Sequence, residues 1–149
     1  MTQRMIDTKA YGSLPVEERQ IIAFPRGLFG FDEVHEYALL DSHTPPFYWL
    51  QSTTDRNLAF ILVNPYIVVP EYLLDIPEED LESIGTPEPD DLLVFAIVTI
   101  PQDRRDISCN LQGPLIVNRD RRLGHQSISL DPQWKIKHYL VPREGRDEC

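Results

Sequence analysis

Residues 92–100 form a run of nine in which only Thr99 is polar, held between the acids Asp90 and Asp91 and the stop at Pro101. It falls far short of the about 20 residues that cross a bilayer. Its β-branched content and its proline terminus favour a strand over a helix. Unbroken apolarity, without polar alternation, predicts a strand covered on both faces. Such a strand lies centrally in a sheet, so the remaining chain must supply neighbours for its edges and cover for its faces.

The rest of the sequence is cut by 13 prolines and seven glycines into pieces of strand length. Strands are expected over 5–11, 19–24, 37–40, 47–52, 58–63, 107–111, 115–118, 126–130 and 134–141. The clearest hairpin joins 47–52 to 58–63 through a short polar turn. A helical turn is expected over 32–37, with Asp32 as N-cap and Glu33 complementing the helix dipole. The only longer helical candidate is 70–85, interrupted near Ile76 and Pro77. There Glu78, Glu79 and Asp80 complement the N-terminus, Gly85 suits the C′ position, and Leu73, Leu74, Leu81 and Ile84 offer an apolar stripe. Short strands at this spacing, with little helix, predict an all-β sandwich or barrel. At 149 residues the expectation is one domain spanning 1–149, with a core of about 5–141 and a flexible tail over 142–149.

Charge is unevenly placed. The formal net charge is -10, and nine acids with no base lie between Glu71 and Asp91. The remainder is nearly neutral. A field of this sign disfavours a phosphate backbone and favours a basic partner; the competing reading is a solvated face that serves solubility.

Reactive constellations are thin. His35, His43, His125 and His138 are scattered without metal-ligand spacing. The acids lack a calcium-loop pattern. No nucleophile elbow occurs, and Gly27 and Gly30 flank large apolar side chains that would obstruct a phosphate. Cys109, on an apolar stretch, reads as a buried hydrophobe. The chain is expected to be no enzyme and to need no cofactor, metal or small-molecule substrate. With two cysteines (Cys109 and Cys149) and no apolar leader, it is expected in the cytoplasm, with no membrane partner. One alternative remains: a β-barrel binding single-stranded nucleic acid, with Phe47, Tyr48 and Trp49 as stacking platforms and the turn arginines Arg104, Arg105, Arg119, Arg121 and Arg122 along one edge.

Several motifs, in one order, resemble a known family. They are Phe-Pro-Arg-Gly-Leu-Phe-Gly-Phe from Phe24, Pro-Phe-Tyr-Trp-Leu-Gln-Ser from Pro46, Asn64 with Pro65, Asn-Leu-Gln-Gly-Pro-Leu-Ile-Val-Asn from Asn110, and Gly-His-Gln from Gly124. The chain resembles the bacterial flagellar assembly factor FliW, collinearly from about residue 19 to 140. Phe29 stands where a proline is common in that family, and the tail ending in Cys149 is individual. The resemblance implies a compact, barrel-like antiparallel β fold with one or two short flanking helices and no catalysis. It implies a cytoplasmic protein with two protein partners, flagellin and the RNA-binding translational repressor CsrA. Flagellin would occupy the factor while it is abundant; after its export the factor would bind CsrA and relieve repression of flagellin translation. CsrA is basic where it grips RNA, so Glu71, Asp75, Glu78, Glu79, Asp80 and Glu82 are the expected docking acids. Leu28 and Phe29, at the tip of the aromatic corner, are further contact candidates.

Overall fold

The computed structural model describes residues 3–141; the tail expected over 142–149 lies outside them. The first element is a hairpin, β1 (Gln3–Thr8) with β2 (Gly12–Glu17). One strand was expected over 5–11; two form because Gly12, at φ +66°, reverses the chain. Thr8 Oγ1 fastens the turn, accepting from the Tyr11 N–H at 2.9 Å and donating to the Gly12 carbonyl at 2.7 Å. Pro15 is tolerated inside β2 because that strand pairs only with β1, so its missing N–H breaks no second ladder.

An antiparallel meander follows, of β3 (Ile21–Ala23), β4 (Glu36–Asp41), β5 (Tyr48–Ser52) and β6 (Ala59–Val63). The expected hairpin is β5–β6, and Ser52 Oγ accepts the Asp55 N–H at 2.9 Å to hold its turn. The helical turn expected over 32–37 does not form. The Phe31 carbonyl accepts from Val34 N–H at 3.2 Å, closing a β-turn, and the chain has entered β4 by Glu36. Burial of the Tyr37 ring requires that early extension.

Asn64 then caps a single helical turn, α1 (Pro65–Val68), accepting from the Tyr66 N–H at 2.9 Å. The helix expected over 70–85 is reduced to α2 (Glu78–Ser83). Tyr72 instead closes a turn, its N–H donating to the Val69 carbonyl at 2.9 Å; its ring is buried and its hydroxyl donates to the Leu111 carbonyl at 3.0 Å. Leu73, expected in an apolar stripe, is exposed, while Gly85 ends α2 at φ +89° as its C′ position required.

The remaining strands are β7 (Leu92–Thr99), β8 (Ser108–Cys109), β9 (Leu115–Asn118), β10 (Leu123–Gln126) and β11 (His138–Tyr139). Two of them differ from expectation. Asn118 Oδ1 accepts from the N–H groups of Asp120 and Arg121, turning the chain so tightly that pairing resumes at Leu123 rather than Gln126. The ladder stops at Gln126, because the segment opposite it contains Pro114, which has no N–H to offer. The last strand, expected over 134–141, pairs only through His138 and Tyr139 with β8.

β7 organises the whole. One edge carries β6; the other is divided, with residues 92–95 on β9 and 98–99 on β8. β9 pairs with β10, and β10 reaches β3 in parallel at Leu123↔Ala23. The order β7-β6-β5-β4-β3-β10-β9 thus returns to β7, a closed seven-stranded barrel without open edges in that ring. Alternation along β7 serves two cores at once. Leu93, Phe95 and Ile97 point into the barrel with Phe24, Tyr37 and Leu115. Val94, Ala96 and Val98 point outward, under Val69, Tyr72 and Trp134. A third cluster lies where β1–β2 covers Ile21, Ala38 and Leu40.

Candidate functional site

α2 has six residues, too short to persist alone; the barrel holds it. Asp80 accepts from Ser127 Oγ at 2.5 Å and lies 3.5 Å from His125 Nε2. Past the helix end, the Asn118 side chain donates to the Ile84 carbonyl at 2.8 Å, and Ile84 is buried. Ahead of the helix the Leu130 N–H donates to the Asp75 carbonyl at 2.7 Å. Helical spacing then sorts the side chains. Asp80, Leu81 and Ile84 share the inner face, whereas Glu78, Glu79 and Glu82, at i, i+1 and i+4, share the outer one and are exposed.

Of the nine acids between Glu71 and Asp91, Asp80 lies near His125 and Asp91 pairs with Arg119 at 3.2 Å. The other seven have no basic side chain within salt-bridge distance among the described residues. His125 adds no cation: burial lowers its pKa, Asp80 opposes that shift, and Arg26 reinforces it. The outer face of α2 is therefore an uncompensated anionic surface on a fixed support. Of the six docking acids read from the sequence, Glu71, Asp75, Glu78, Glu79 and Glu82 are exposed, while Asp80 is turned inward as an anchor.

Beside α2 runs a cleft of about 470 Å³, with Arg26, Phe29 and Asp32 on one wall, Pro77 and Asp80 on the other, and His125 to Ile128 between them. The corner that supplies Phe29 is rigid. Gly27 adopts φ +66°, and a Cβ there would lie 2.4 Å from the Phe31 carbonyl oxygen. The Gln126 side chain accepts from the Phe29 N–H at 2.9 Å and donates to the Gly113 carbonyl at 3.1 Å. Phe29 is 52% exposed and Ile128 57% exposed, so two apolar side chains project at the edge of an acidic surface. Leu28, the other corner candidate, is corrected: it is buried in the barrel core, and the tight turn closed by the Phe31 N–H on the Leu28 carbonyl at 2.7 Å leaves Phe29 outside. Sequence reasoning assigned no role here to His125, Ser127 or Ile128; the Gly-His-Gln motif from Gly124 marked the place without showing what packs around it.

The cleft offers charged side chains and exposed apolar surface on a fixed support. Ser127, Asp80 and His125 are neighbours in the wrong order for nucleophilic catalysis, since the carboxylate stands between hydroxyl and imidazole and nothing activates the serine. Burial pushes the Cys109 thiol up to about 12, which leaves it protonated and inert. Among the described residues no three His, Cys, Asp or Glu side chains gather to hold a metal.

The nucleic-acid alternative loses its geometry. Phe47, Tyr48 and Trp49 border one groove with Arg104 alone of the five arginines, and each is half-buried: Tyr48 against Phe95 (ring centroids 5.7 Å apart), Trp49 beneath β1–β2, and Phe47 on the core around Trp134. Arg104 and Arg105 follow the end of β7, whereas Arg119, Arg121 and Arg122 turn beside its start, about 20 Å away at strand spacing. Three of the five are paired, Arg105 with Asp103, Arg119 with Asp91 and Arg122 with Glu18. No continuous basic strip results.

Comparison with known proteins agrees with this geometry. A family model described as FliW protein matches residues 4–140. The flagellar assembly factor FliW of Treponema denticola is 48% identical over 136 residues, covering 91% of this chain and 92% of that one. Its counterpart in Treponema pallidum is 41% identical over 148 residues, covering 97% and 99%. A crystal structure of the flagellar assembly factor FliW superposes with a TM-score of 0.87 at 33% identity, covering 95% of this chain and 99% of that chain.

Proposed function

The chain belongs to the FliW family, and on that premise we propose that it regulates flagellum assembly without catalysis, by binding flagellin and the translational repressor CsrA in turn. Flagellin occupies it while subunits accumulate; once they are exported, it takes up CsrA and frees flagellin translation. The work is done in the cytoplasm, where both partners are made. The observation that carries the reading is the outer face of α2, where Glu78, Glu79 and Glu82 are exposed and have no basic partner among the described residues, on a helix pinned from beneath. A repressor that grips RNA phosphates presents clustered Lys and Arg, and an anionic face both steers it and repels RNA from it. Phe29 and Ile128, in the cleft beside α2, add apolar contact area that a purely ionic encounter lacks.

Switching requires only that the two partners exclude each other. The test is a competition. Purified protein is loaded with CsrA, flagellin is titrated in, and the complexes are resolved by size-exclusion chromatography. The expected result is release of CsrA in proportion to flagellin bound. Failure to retain either partner overturns the proposal; a persistent ternary complex overturns mutual exclusion.

A further inference from the structure

A second concavity, of about 380 Å³, shares no residue with the cleft beside α2. It lies where the β1–β2 turn, the β4–β5 loop and the β7–β8 connection meet, and its walls include Tyr11, Phe47, Trp49, Ile61, Ile100 and Ile107. We propose that this groove receives an apolar peptide segment of a partner protein that carries a carboxylate, which Arg104 holds at the rim.

Three observations select that occupant. The chain has 24 acids against 14 Lys and Arg, yet no Asp or Glu lines this groove, while Arg104 and His43 do. Arg104 is exposed and its guanidinium has no ion-pair or hydrogen-bond partner among the described residues. The adjacent Arg105, by contrast, is held by both Asp103 oxygens, at 3.1 and 3.0 Å. Charge complementarity therefore asks for one anion beside apolar side chains, and a single free arginine is too little for a nucleic-acid backbone. The volume falls within the range of pockets that accept a ligand or a few side chains.

The walls are also preformed. The Tyr11 hydroxyl donates to the Asp41 carbonyl at 3.3 Å, and its ring meets His43 edge-on at 4.9 Å. Ser42 Oγ accepts from the Thr44 N–H at 3.0 Å and donates to the Thr44 carbonyl at 2.9 Å, which fixes the loop. A groove built in advance spends little of its binding energy on ordering itself. Ile100, 44% exposed at the end of β7, is the apolar contact that the fold leaves uncovered.

The test uses an array of short amidated peptides, each with several Leu or Phe residues and one Asp, one Lys or no charge, probed with the purified protein. Retained sequences are remade with a fluorescein label and titrated by anisotropy against the wild type, Arg104→Glu and Ile100→Glu, with a labelled single-stranded oligouridylate alongside. The wild type is expected to select the Asp class. Arg104→Glu should weaken that class about fivefold, the scale of one exposed ion pair, and strengthen the Lys class. Ile100→Glu should weaken the Asp class, with an unchanged melting curve for each variant. Equal retention of all classes, indifference to Arg104→Glu, or binding of the oligonucleotide in place of peptide overturns the proposal. A Glu78→Lys, Glu79→Lys, Glu82→Lys variant should still select the Asp class, so failure here leaves the acidic-helix reading standing.

Discussion

At Gly124 the barrel wall and the aromatic corner touch. A Cβ built there would lie 2.4 Å from Phe24 Cε2 and 2.6 Å from Cζ, and that ring is fully buried. Gly124→Ala should therefore cost about 1–3 kcal/mol, the scale of overpacking. Chemical denaturation would show the loss, and Phe24→Leu in the same chain should return part of it, since contacting sites couple. His125 offers a second residue-scale check. Burial lowers its folded-state pKa below the ordinary 6.5, so the unfolded chain binds a proton more readily. Its contribution is full above 6.5 and is lost as the pH falls through the lower, folded value. Urea unfolding at about pH 7.5 and about pH 5.5 should show a smaller drop for His125→Gln than for the wild type. An identical drop would remove His125 from the account. Both residues belong to the Gly-His-Gln motif; the sequence displays the motif but not its neighbours, so their packing was unreadable.

At the scale of elements, legibility followed how much each segment's environment resembles a repeat of itself. β7 was readable because both of its faces are covered from Leu92 to Val98, which forces apolar residues at each of those positions. The β5–β6 hairpin was readable because its turn is local. β11 was not, because its alternation of Ile136, His138 and Leu140 ends with Ile136 exposed and only two residues paired. α2 was half readable: its acids and Gly85 marked the ends, but tertiary burial of Tyr72 overrode helix propensity ahead of Pro77. The division of α2 into anchoring and outward faces predicts a sharp contrast. Asp80→Ala leaves the buried Ser127 hydroxyl without its acceptor, at about 1–3 kcal/mol. Asp80→Asn keeps an acceptor and should cost less. Glu79→Ala, on the outer face, should stay within about 0.5 kcal/mol. Equal losses at Asp80 and Glu79 would mean that the helix is not pinned as described.

For the whole molecule the decisive quantity is where charge sits on a closed barrel. Closure removes the ladder edges of the ring, so a partner meets side chains on a stable shell, and the net charge of -10 is concentrated on one segment of it. That asymmetry was legible from the order of residues alone. The separation of docking from anchoring acids was not, because Asp80 differs from Glu79 only in what lies beneath it. Each Glu→Lys change adds two charges, so reversal at Glu78, Glu79 and Glu82 moves the chain from -10 to -4 while sparing the anchor. Steered association depends on the long-range field, which salt screens over about 8–10 Å. The triple variant should bind CsrA more slowly at low salt, with a flatter dependence of association rate on ionic strength and a melting curve close to that of the wild type. If its rate at low salt equals that of the wild type, the repressor does not approach across α2, and the acids there serve solubility alone.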